Sequence, residues 1–128
     1  MKRTKRHIIS LTLTTGFAIL IFILSIMPTD IHGEKPDFYF EGMDRFIHVG
    51  MYGLLTILIL FTYFLDKKIK LRPTSIIIIL VLLYSILMEF VQFYFIDYRS
   101  GYYHDVIANL VGILLATGSI ILYRKIRA

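Results

Sequence analysis

Eight residues of this 128-residue chain carry side chains suited to chemistry at helical spacings: Asp44, His48, Tyr52, Glu89, Gln92, Arg99, Asp105 and Asn109. Residues three or four apart share a helix face. Asp44, His48 and Tyr52 therefore form one stripe. Glu89 and Gln92 form a second, which Arg99 continues if the helix persists. Asp105, Asn109, Gly112 and Ala116 form a third. His48 one turn after Asp44 has the spacing of an oriented general base. Glu89 with Gln92 suits proton acceptance or headgroup binding. Arg99 presents a planar fork that pairs with Glu89, Asp105 or Asp44 and also suits phosphate. Each has a plainer reading: an internal hydrogen-bond or ion-pair network that fixes helix packing, and a histidine packed at an interface.

Asp44, His48 and Glu89 are the candidates for a catalytic role, which stays unassigned. His48, His104, Asp44, Glu89 and Asp105 are also of metal-ligating type. No local ligand motif such as H-E-x-x-H joins them, so no metal and no cofactor is assigned. The chain has no Walker motif, no G-x-S-x-G and no Rossmann fingerprint. It has no cysteine, which removes disulfides, thiolate zinc sites and cysteine nucleophiles.

These residues interrupt very apolar runs. Hydrophobic residues make up 57% of the chain and mean hydropathy is +0.72, against ~45–50% in ordinary soluble domains. A span needs about 20 residues. The pattern predicts an all-α polytopic membrane protein: one domain over 1–128, a four-transmembrane-helix bundle with helices at about 8–27, 44–65, 74–96 and 105–123. The first run exceeds the ~7–15 residues of a signal h-region and lacks a small-residue cleavage site, so it reads as an uncleaved span. A carboxylate within a span costs about 2.5–3.5 kcal/mol on the insertion scale. Each polar stripe is therefore expected to face the bundle interior. Gly112-x-x-x-Ala116, with Gly50 and Gly53, would let helices approach closely.

The charges give an orientation. The N-terminal tail, the 66–73 loop and the C-terminal tail together hold 11 of the 14 Lys and Arg residues. A four-helix topology places all three on one side. The positive-inside rule puts that side, with both termini, in the cytoplasm of a multi-pass cell-membrane protein. The net charge of +5 is then a topology signal near anionic headgroups, and nucleic acid is not expected as a partner. At about 1.5 Å per residue, His48, Gln92 and Asn109 lie ~6 Å below the outer boundary, and Glu89 and Tyr52 ~10–12 Å. The polar groups thus fall at one level, in the outer leaflet. The tyrosines at 39, 94, 98, 102 and 103 read as an aromatic belt around that level.

The segment MDRFIHVGMYGLL resembles the D-[KR]-x-x-H-x-x-x-Y motif of VanZ-like membrane proteins, through Asp44, Arg45, His48 and Tyr52. Glu89 and Gln92, then Arg99, then Asp105, Asn109 and Gly112 resemble the second half of that pattern. The resemblance covers roughly 44–118. Arg45 stands where lysine is usual, and no proline precedes Arg99. The resemblance implies an association with resistance to the glycopeptide teicoplanin and supplies no agreed chemistry. All eight residues are carried over as ligand-binding positions.

The expected function is therefore a VanZ-like membrane protein whose outer-leaflet site engages a cell-envelope lipid or its headgroup. Membrane lipids are the expected partners, and a cell-wall lipid intermediate or a glycopeptide is the candidate ligand. Two alternatives stand beside it: a membrane-embedded hydrolase or transferase acting on a phosphorylated lipid, and a small transporter. Without a recognisable nucleophile, the sequence leans away from an enzyme.

Overall fold

The computed structural model describes residues 2–26, 42–95 and 103–127, apart from the side chains of Asp44 and Phe95. Four α-helices account for most of them: α1 (Lys2–Ile26), α2 (Met43–Tyr63), α3 (Leu71–Phe95) and α4 (Tyr103–Arg127). All four are long and apolar enough to cross a membrane. Large apolar side chains such as Leu80, Leu83, Leu87 and Phe90 on α3 point outward. On a water-soluble protein so much exposed apolar surface would drive association; here it meets lipid, and the helices satisfy their own backbone groups.

Three of the four helices are longer than the apolar runs that mark them, while α2 ends at Tyr63, two residues short of the expected 65. α1 starts at Lys2 rather than near residue 8, because Lys and Arg are good helix formers whose stems lie along apolar surface. α4 continues to Arg127, with Arg124, Lys125 and Arg127 in its last turn, where cations offset the helix dipole. α3 begins at Leu71, two residues before Pro73. A first-turn proline sacrifices no internal hydrogen bond. α2 is entered through Gly42 at φ 85°, a left-handed conformation that suits glycine.

α2 and α4 pack most extensively, while α2 and α3 each touch all three other helices. Gly112 explains the first fact. A Cβ there would run into the Val49 carbonyl and lie 3.0 Å from Val49 Cα, and one on Gly53 would lie 3.2 Å from the Gly112 carbonyl oxygen. Only glycine allows this approach. Gly50, the other expected contact glycine, has nothing within 4 Å of its would-be Cβ. Ile21, Tyr52, Leu55, Val81 and Ile113 form the heart of the core.

The two ends differ. At one, Arg3 Nε donates to Asp66 Oδ2 at 2.9 Å, and His7 Nε2 lies 2.9 Å from the same oxygen. Arg124 donates to the Phe64 carbonyl at 2.8 Å. The start of α1, the α2–α3 loop and the end of α4 are thus joined at one end. Within the bundle, Ser10, Thr14 and Thr62 link α1 to α2 through their hydroxyls, and Tyr84 donates from α3 to the Ala18 carbonyl at 2.6 Å.

Candidate functional site at the opposite end of the bundle

The close approach of Val49 to Gly112 brings the flanking polar residues of α2 and α4 together. His48 Nδ1 lies 2.9 Å from Asn109 Oδ1. It also lies 3.3 Å from Glu89 Oε1 of α3. Glu89 is 5% exposed and Asn109 0%. Both atoms facing Nδ1 are oxygens that accept, so with the carboxamide in this orientation Nδ1 carries the ring proton and Nε2 the lone pair. In its neutral form His48 then offers Nε2 as a base or ligand atom.

Asp105 joins from the first turn of α4, where the helix dipole favours a carboxylate. One ligand-type atom from each of His48, Glu89 and Asp105 lies within 4.8 Å of the others. Gln92 is buried one turn beyond Glu89. Tyr52 is 1% exposed, with its ring nearly parallel to that of His48 at 6.4 Å between centroids. Six of the eight residues singled out by spacing therefore sit at one end of the bundle, on α2, α3 and α4. Arg99 lies outside the described residues. Asp44 stands in the first turn of α2, and its side chain is outside what is described. Tyr94 and Tyr103 are exposed near this end, and the belt positions at 39, 98 and 102 lie outside the described residues. His104 is exposed, its ring tilted 35° to that of Tyr103 at 4.1 Å between centroids, and it is not one of the three residues that converge.

The Asn109 carboxamide nitrogen is buried and has no hydrogen-bond partner among the described residues. Spacing alone does not reveal this, because it depends on how three helices meet. A second feature missed by spacing is an apolar groove of about 310 Å³ on the α2–α4 seam, lined by Val49, Gly53, Leu54, Gly112 and Ala116 among others. The signal for it was present in the glycines at 53 and 112.

No curated protein and no solved structure matches the chain. The VanZ/LLP1 family model matches residues 3–124. That match takes in α2 and α3 whole, all but the outer ends of α1 and α4, and every residue of the buried cluster, and the chain accordingly belongs to the VanZ/LLP1 family.

Proposed function

We propose that this VanZ-like membrane protein uses the buried cluster to engage the polar head of a cell-envelope lipid, in the outer leaflet of the cell membrane. The convergence of His48, Glu89, Asp105 and Asn109 from three helices is the observation that carries this reading. Intramembrane ionisable groups are costly and mark ligand or ion sites by default. The end joined by Arg3, Asp66 and Arg124 carries the basic segments. The positive-inside rule makes it cytoplasmic and the cluster outward-facing. The α2–α4 groove begins one turn from Asn109 and offers apolar surface for an acyl chain.

The family's association with teicoplanin suggests the consequence. A protein that holds or masks an envelope lipid changes the access of a glycopeptide to its surface target. Glu89→Gln and Asp105→Asn, compared at equal membrane levels, are expected to reduce lipid co-purification and to alter glycopeptide sensitivity. Unchanged lipid content and sensitivity in both variants would refute the reading. Turnover of a phosphorylated lipid by the purified protein, abolished in His48→Ala, would instead make it an enzyme.

A further inference from the structure

We infer that His48, Glu89 and Asp105 form a site for a divalent transition-metal cation, with Asn109 as its positioning residue. One imidazole and two carboxylates are the donor set that Zn²⁺ and Mn²⁺ accept, and no thiolate is present to select a softer ion. The three ligands come from three helices, and one atom from each lies within 4.8 Å of the others. For metal–ligand bonds of ~2.0–2.1 Å, ligand atoms in a tetrahedral shell stand about 3.3 Å apart. His48 Nδ1 is engaged by Asn109, which leaves Nε2 as its ligand atom, and rotation of the three side chains closes the remaining distance.

Asn109 provides the second, independent observation. Its oxygen holds one nitrogen of the His48 ring, the outer hydrogen bond that fixes ring orientation in metal-ligating histidines. Its nitrogen is fully buried without an acceptor among the described residues. Buried polar groups require a partner. A water or a headgroup oxygen on the metal supplies an acceptor for that N–H. The cation also neutralises part of the charge of two carboxylates in a low-dielectric setting, where electrostatic terms are largest. This rests on the lipid reading above only for the identity of the oxygen that completes the shell. With a phosphate-bearing headgroup, the ion would bridge carboxylates and phosphate that otherwise repel.

The test uses full-length protein in detergent, stripped with chelator, and adds Zn²⁺ or Mn²⁺ alone. One ion bound per chain is expected, with raised thermal stability. Binding should weaken at least tenfold in Glu89→Gln and in Asp105→Asn, with Asp66→Asn unchanged as a control carboxylate. Helical circular dichroism and a monodisperse elution profile confirm that each variant is folded. Should Glu89→Gln prove unfolded, Asn109→Ser serves in its place, with weakened affinity expected. Absence of saturable binding overturns the cation site, as does binding that survives both carboxylate substitutions. Lipid co-purification is scored separately with and without chelator. Lipid retained in the absence of any metal binding leaves the lipid reading standing and removes the cation. Metal bound without retained lipid does the reverse.

Discussion

Asn109 is the chain's single asparagine, and its side chain is completely buried beside His48. Removing it strips His48 Nδ1 of an acceptor and opens a small void. Hydrogen bonds between membrane helices are worth about 0.5–2 kcal/mol. Asn109→Ala is therefore expected to lower stability by about that amount, measured by denaturation in detergent. At the far end, the hydrogen bond from His7 to Asp66, supported by Arg3, holds the Asp66 carboxyl below its ordinary value. A depressed carboxylate stabilises the fold above its unfolded-state value, and the contribution fades as pH falls through the folded one. Asp66→Asn should thus melt lower than the parent at neutral pH and converge with it under acid conditions. Parallel melting curves at both pH values would disprove the assigned ion pair. Spacing alone made Glu89, Gln92, Asp105 and Asn109 legible, because the i+3 and i+4 rule fixes which side chains share a face. It could not show that His48 meets both Asn109 and Glu89, since that depends on helix crossing. The His7–Asp66 contact was equally hidden, 59 residues apart in the chain.

At the scale of the elements, the α2–α4 pair sets the geometry of the site. Gly112 is where the helices touch, and an added methyl has no room against the Val49 backbone. Overpacking of this kind costs about 1–3 kcal/mol, so Gly112→Ala should destabilise the bundle by about that much and weaken any ligand bound at His48. Gly50→Ala is the contrast, because open space surrounds its would-be Cβ. Alanine is the better helix former by roughly 0.5–1 kcal/mol, so that variant should be neutral or more stable. Equal losses in the two variants would contradict the packing described here. The sequence marked Gly50, Gly53 and Gly112 alike as small. Crossing geometry, which no local pattern encodes, decides that only the last two are used. Helix ends were misplaced for the opposite reason: hydropathy marks the apolar run, whereas the helix continues through Lys and Arg at both chain ends.

At the scale of the whole molecule, the bundle has a charged end tied by Arg3, Asp66 and Arg124 and a second end holding the buried cluster. The four-helix architecture was readable from four apolar runs because the bilayer demands helices of that length. The orientation proposed from charge is directly testable, since the chain contains no cysteine. Single cysteines at Lys68 and Arg127 should resist a membrane-impermeant thiol reagent in intact cells, and one at Tyr103 should react. The reverse labelling pattern would invert the bundle and place the cluster on the cytoplasmic side. The central claim, that one buried site is built across α2, α3 and α4, is tested most directly by solid-state NMR in bilayers. Asparagine labelled with ¹³C reports Asn109 alone, and histidine labelled with ¹⁵N reports the imidazoles. The structure predicts a dipolar contact between the Asn109 carboxamide carbon and an imidazole nitrogen, lost in His48→Ala and retained in His104→Ala. A carboxamide with no imidazole contact, or one whose contact survives His48→Ala, would contradict the site.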